Sequence, residues 1–266
     1  MIRDITIGQY YAADSIIHKL DPRVKLAGTM LYSLFTADGP ICYLLAVFAL
    51  AAVIHLSTVP FKFMARGLKS IVIILLITVS FNLFLTPGTS IIDVWLLRHI
   101  TWEGLEKAVY MGIRLILLIL GSSIMTLTTT PNALTDGLEK SLGFLKKVKI
   151  PVHEIAMTMS IALRFIPILI EETDKIMKAQ TARGADFESG GFIKKAKAMV
   201  PLLVPLFISA FRRASDLAMA MEARCYHGDE NRTKMKPLKY AAIDRKAYLC
   251  LLLYMVVMVA LALMWK

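Results

Sequence analysis

Apolar residues run in long blocks along this chain, separated by short basic or turn-forming stretches. A helix needs roughly 20 mostly apolar residues to cross the hydrocarbon of a bilayer. Four blocks of about that kind stand early, at 24–37, 41–59, 71–85 and 105–127, and a fifth stands at 247–265. "DGP" at 38–40 makes a tight turn after the first, "TPGTS" breaks the third, and 87–104 reads as a loop carrying Trp95 and Trp102 at an interface. The stretch between the fourth and fifth blocks has a different pattern, with apolar residues at helical spacing on one face only. The expected fold is therefore an all-α integral membrane protein with about five transmembrane helices and a separate domain of long amphipathic helices on the cytosolic side. Its expected parts are an N-terminal membrane domain at 1–130 with four spans, a cytosolic domain at 131–246, and a C-terminal transmembrane helix at 247–266. The middle part holds three amphipathic helices, at 131–149, 151–184 and 192–228.

The two longer of these helices have matched ends. The first begins with "IAMTMSIALRFIPILI" and finishes with "EETDKIMKAQTAR"; the second begins with "AMVPLLVPLFISAF" and finishes with "RRASDLAMAMEAR". Their apolar halves, 155–170 and 198–211, are too short for good spans and are interrupted by Arg164, Pro167, Pro201 and Pro205. Ala214, Leu217, Ala218 and Met221 continue a narrow apolar stripe into the charged half of the second. Each helix thus reads as lying under the bilayer and ending in the cytosol at an arginine, within the shared pattern Ala-x-x-Ala-Arg: Ala179, Ala182 and Arg183, then Ala220, Ala223 and Arg224. A cation at a helix C-terminus is favoured by the dipole alone, by about 0.3–1 kcal/mol. Two such arginines in one setting point further, to a pair of similar partners. Arg164, inside an apolar run, calls for a carboxylate, a carbonyl or a lipid headgroup; Glu171, Glu172, Asp174 and Asp216 are the expected candidates.

The third helix opens at Pro131, lines one face with Leu134, Leu138, Leu142 and Leu145, and closes on Lys146, Lys147 and Lys149. Lysines at that end suit both the helix dipole and anionic lipid. Basic residues near the span ends orient the whole chain. A cytosolic N-terminus places Arg3, Lys19, Arg23, Lys25, Lys62, Arg66 and Lys69 inside with the basic region 131–246, and leaves Arg98 and Lys266 outside.

Composition agrees with this reading and removes others. The chain is 57% hydrophobic over 266 residues, with a mean hydropathy of +0.61. Its net charge of +11 sits between the apolar blocks, as the positive-inside rule requires, so nucleic acid is not the implied partner. Cys42, Cys225 and Cys250 have neither disulfide nor metal spacing. No phosphate-cradling G-x-x-x-x-G-K-[ST] and no G-x-S-x-G occurs. "HEIAM" has Met157 where a zinc protease needs its second histidine, so His153 and Glu154 read as a solvated junction. His55 and Arg114 lie near span ends, Asn82 suits a helix–helix hydrogen bond, and no line of acidic groups crosses the spans. No catalytic residue, cofactor or metal site is indicated.

"DSIIHKLDPRVKL", "ALRFIPILIEETDKIMKAQTARG" and "RRASDLAMAMEARCY" resemble the transmembrane T component of energy-coupling factor transporters, a group of ABC-type importers for vitamins and transition-metal ions. The resemblance covers nearly the whole chain. Its most specific parts are the two helix ends, Ala182-Arg183-Gly184 and Ala223-Arg224-Cys225; the second often reads Ala-Arg-Gly in the family, so Cys225 is a departure. The resemblance implies a non-catalytic scaffold in the cell membrane that binds two cytosolic ABC ATPase subunits through these six residues. It further implies a small membrane S component, which Met157, Met159, Met199 and Leu203 are placed to meet as an adaptable apolar surface. The competing expectation is a channel or secondary carrier whose amphipathic helices form a regulatory domain. A membrane-embedded enzyme is a third, and lacks any acid, base or metal cluster.

Overall fold

The computed structural model describes residues 10–34, 39–86, 101–187, 191–228, 235 and 237–264. The regular elements among them are helices: α1 (Ile16–Lys19), α2 (Pro22–Leu34), α3 (Pro40–Ser57), α4 (Phe61–Leu85), α5 (Trp102–Thr128), α6 (Pro131–Ser141), a 3₁₀ segment (Leu142–Val148), α7 (Val152–Ala182), α8 (Phe192–Glu222) and α9 (Ala242–Met264). They gather into two compact units. One comprises residues 8–137 with 238–266; the other comprises 138–237.

In the first unit α5 packs against α2, α3 and α4, and α9 packs against α2 and α3. The core holds Tyr43, Ala46 and Leu50 of α3, Met64 of α4, and Leu117, Leu120 and Ile124 of α5. Tyr43 and Tyr110 stack at 5.2 Å between ring centres. Proline opens α2, α3 and α6, where its missing N–H costs nothing. Thr101 caps α5 by accepting from the Gly104 N–H at 3.1 Å, while its hydroxyl donates to the Thr86 carbonyl at 2.9 Å. Gly137 lies so close to Pro22 that a Cβ there would meet the Pro22 Cβ at 2.8 Å.

The starts of α2 and α9 are locked together by charge. Asp244, 2% exposed, accepts the Asp21 N–H at 2.9 Å and the Ala241 N–H at 2.7 Å. Arg23 pairs with Asp21 at 2.9 Å, and its guanidinium stacks 3.9 Å above the Tyr240 ring. Burial pushes the Asp21 carboxyl up, but the hydrogen bonds and charge of Arg23 outweigh it and hold the group below its ordinary value.

Among the described residues five helices are long and apolar enough to cross a membrane: Pro40–Ser57, Trp102–Thr128, Val152–Ala182, Ala196–Glu222 and Ala242–Met264. A sixth arises if α4, bent by 60° between Phe61–Lys69 and Ile71–Leu85, counts as one span. The number agrees with the sequence expectation, but the membership differs. Helix α2 has 13 described residues, about 20 Å at 1.5 Å each, short of the ~30 Å hydrocarbon core. Helices α7 and α8 qualify by length and composition, which the shortness of their apolar blocks had denied them. They are the least apolar of the five, with hydropathies of 1.4 and 1.3 against 1.9–2.6 for the rest. Trp95 and Arg98 in the expected outer loop lie outside the described residues, whereas Trp102 opens α5 and is 63% exposed.

Two local expectations are corrected. The single helix at 131–149 is α6 followed by the 3₁₀ segment, which Lys149 closes in a left-handed conformation at φ 61. His153 is buried rather than solvated. Its Nδ1 lies 3.1 Å from the Glu139 carboxylate, a partner 14 residues back that the closing turn brings within reach. Glu154 is exposed as expected.

Candidate functional site

Helices α7 and α8 each contain 31 residues, about 46 Å of rod. They touch through a polar clamp in the C-terminal half of each. Glu172 of α7 accepts from the Ser209 hydroxyl and from the Arg213 guanidinium, the latter at 2.9 Å. A second contact follows from proline chemistry. Pro205 has no N–H to give to the carbonyl four residues back, so the Pro201 carbonyl is left over in α8. The Gln180 side chain donates to that carbonyl at 3.4 Å. Residue 172 meeting 209 and 213 while 180 meets 201 runs the two helices in opposite senses. The pairing expected of Arg164 does not occur: Arg164 is exposed, and Glu172 instead takes Arg213, which α8 presents one turn after Ser209.

The Glu172–Arg213 pair is equally far from the two arginine tips. Arg183 lies eleven residues after Glu172, and Arg224 lies eleven residues after Arg213. Each arginine is therefore about 16 Å along its own helix from the clamp, and the two lie in opposite directions from it.

The helix ends that carry the arginines are built alike. After Arg183, Gly184 takes φ +90; its N–H donates to the Thr181 carbonyl at 2.9 Å, and the Ala185 N–H donates to the Gln180 carbonyl at 3.0 Å. After Arg224, Cys225 takes φ 54; its N–H donates to the Glu222 carbonyl at 2.8 Å, and the Tyr226 N–H donates to the Met221 carbonyl at 3.1 Å. Both are Schellman closures with the arginine as the last residue before the left-handed one. Cysteine thus adopts the geometry that glycine provides in the first motif, at a conformational cost of about 1–2 kcal/mol. Ala182, Arg183, Gly184, Ala223, Arg224 and Cys225 are all exposed. Each tip offers a guanidinium with five N–H donors, flanked by residues too small to hold a partner away.

The apolar surface expected around Met157, Met159, Met199 and Leu203 is partly as described by the sequence. Met159, Met199 and Leu203 are 45%, 50% and 42% exposed; Met157 is half-buried and engaged in a contact of its own. A larger feature lies within the apolar half 198–211. Val200, Val204, Phe207, Ile208 and Phe211 form one continuous exposed face of α8 with Leu203, and the rings of Phe207 and Phe211 stack at 6.4 Å. Their i, i+4, i+7, i+8 and i+11 spacing places them on one side of the helix. Among the described residues no group of three or more His, Cys, Asp or Glu side chains gathers as a metal site.

The pattern of a family described as "Cobalt transport protein" matches residues 13–235. The chain is 53% identical over 250 residues to an energy-coupling factor transporter transmembrane protein EcfT of Thermosediminibacter oceani, covering 93% of this chain and 94% of the relative. It is 51% identical over 269 residues to the protein of that name in Clostridium kluyveri, covering 100% and 99% of the two chains. The protein of that name in Lactococcus lactis subsp. cremoris is 43% identical over 268 residues, with 100% and 99% covered.

Proposed function

The chain belongs to the family of energy-coupling factor transporter transmembrane proteins, and we propose that it acts there as the mechanical link between two cytosolic ATPase subunits and a substrate-binding S component. Members are multi-pass membrane subunits of a transporter, not enzymes. In the proposed complex, ATP hydrolysis belongs to the partners, and the cargo is a vitamin or a metal ion held by the S component.

The observation that carries the reading is the matched pair of arginine tips placed equally far from one clamp. Two homologous partners need two equivalent handles, and a rod pair joined midway between its two tips transmits a push at either tip to the other arm. An arginine fork in a carboxylate-lined groove supplies a charge-assisted, bidentate anchor. In this reading the N-terminus and residues 131–246 are cytosolic, and α7 and α8 lie along the inner face of the membrane. Their low hydropathy, their three internal prolines and the Glu172–Arg213 pair suit that position better than the middle of a bilayer. The exposed face from Val200 to Phe211, together with Met159 and Met199, is the surface offered to the S component.

Photo-crosslinking amino acids at Ala182 and Ala223 test the first half of the proposal. Each should capture an ATPase subunit in membranes, and the same group at Phe207 should capture a small membrane protein. Capture of lipid alone at all three positions would refute it.

A further inference from the structure

The membrane unit contains a crevice of about 560 Å³ between α1, α2, α3, α5 and α9 that none of the roles above uses. Its walls are apolar and include the small residues Gly28, Ala49, Ala52, Gly121 and Ala247, with Leu251 packed on Gly28 and Tyr32 on Gly121. On α9 the lining runs from Ile243 to Tyr254. Those eleven steps of 1.5 Å cover about 16 Å, close to half of a ~30 Å hydrocarbon core, which is the depth of one leaflet.

The two ends of the crevice differ chemically. Tyr32 and Tyr254 face each other at the deep end, their rings stacked at 6.2 Å. The other end is cationic, where α2 and α9 begin and α3 and α5 finish. Lys25 sits there with its ammonium donating to the Thr128 carbonyl at 2.8 Å and the His18 carbonyl at 3.3 Å. An ammonium has three donors, so one remains for an anion. Lys246 also lines this end, and it and its neighbour Arg245 are exposed. Asp21 and Asp244 also act on the Lys25 charge, while Asp21 pairs with Arg23 and Asp244 accepts two backbone N–H groups; four cations, Arg23, Lys25, Arg245 and Lys246, against these two anions leave the rim positive.

From this arrangement we propose that the crevice holds one acyl chain of an anionic phospholipid, with its headgroup on Lys246 and Lys25. A leaflet-deep apolar slot matches the tail, and a basic rim at the level where the helices leave the hydrocarbon matches the phosphate. The lipid fills the crevice between α2, α3, α5 and α9, and so forms part of the membrane unit's packing.

Native mass spectrometry of the full chain in detergent, stripped of lipid and then given palmitoyl-oleoyl phosphatidylglycerol or phosphatidylcholine at equal concentration, tests this. One phosphatidylglycerol should be retained, with about fivefold preference over phosphatidylcholine, the factor one lysine near the membrane surface contributes. Lys246→Glu should abolish the preference, and Ala247→Phe should abolish retention by filling the slot. Ala52→Phe fills it from α3 and serves if the α9 variant does not fold. Equal retention of the two lipids would overturn the proposal. So would unchanged phosphatidylglycerol binding in Lys246→Glu or in a folded slot-filled variant, or displacement of the phospholipid by equimolar palmitate.

Discussion

The two arginine tips differ by one residue, and that difference has a calculable consequence. Gly184 and Cys225 occupy the same left-handed position, at φ +90 and φ 54. A Cβ built on Gly184 meets no atom within 4 Å, so Gly184→Ala introduces no clash and its cost is purely conformational. Placing a non-glycine residue in the left-handed region costs about 1–2 kcal/mol. Reduced freedom of the unfolded chain returns about 0.4–1 kcal/mol. The net for Gly184→Ala is a loss near 1 kcal/mol in closing the α7 end, and Cys225→Gly should give a gain of similar size at α8. A free-energy change of about 1 kcal/mol alters the open fraction roughly fivefold. Amide hydrogen exchange reads this directly, because the reporting N–H groups are Gly184 and Ala185 at one end, and Cys225 and Tyr226 at the other. Gly184→Ala should speed exchange of Ala185 about fivefold, and Cys225→Gly should slow that of Tyr226 about fivefold, with the middle of both helices unchanged. Equal exchange in parent and variants, or changes of the opposite sign, would refute the claim that the two ends are the same structure.

Three further outcomes follow from the packing. Asp244→Ala strands the buried Asp21 N–H and removes the acceptor of the Ala241 N–H at about 1–3 kcal/mol, so thermal melting in detergent should fall by several degrees, with Asp244→Asn intermediate. Glu172→Ala removes the acceptor of both Ser209 and Arg213; with Arg213 42% exposed, the pair itself contributes under about 1 kcal/mol, so spin labels on α7 and α8 should report a broader distance distribution while the fold persists. Single cysteines at Ser189 and Thr89, in a chain whose own cysteines are replaced, should react with an impermeant thiol reagent in intact cells at Thr89 only; labelling at Ser189 alone reverses the proposed orientation.

Much of the arrangement was legible because it depends on local pattern. Apolar block length marked α3, α5 and α9 as spans, and the repeated Ala-x-x-Ala-Arg marked both tips. The pairing of Glu172 with Arg213 was not legible, since it depends on the register of α7 against α8, which helical periodicity does not set. Gln180 meeting the Pro201 carbonyl has the same origin: a proline announces a free carbonyl but not the residue that reaches it. His153 read as solvated because it stands beside Glu154 at a helix start, while its partner Glu139 arrives through the 3₁₀ turn. The apolar half of α8 was legible as a block at 198–211, and its prolines at 201 and 205 argued against a span rather than against a helix. In a long helix of this kind, proline instead leaves a carbonyl for a neighbour to satisfy.

The central claim is that Arg183 and Arg224 each hold one ATPase subunit. Truncating one partner of a buried charge pair costs about 2–5 kcal/mol, so either Arg→Ala change should weaken ATPase binding by roughly one to three orders of magnitude. Arg→Lys should restore only part of it, because lysine keeps the charge and loses the fork. The decisive measurement is co-purification of the ATPases together with substrate uptake for Arg183→Ala, Arg224→Ala and the double variant. The account predicts that the double variant reaches the membrane in normal amount, loses both ATPases and supports no uptake; a double variant that keeps its ATPases and transports would contradict it.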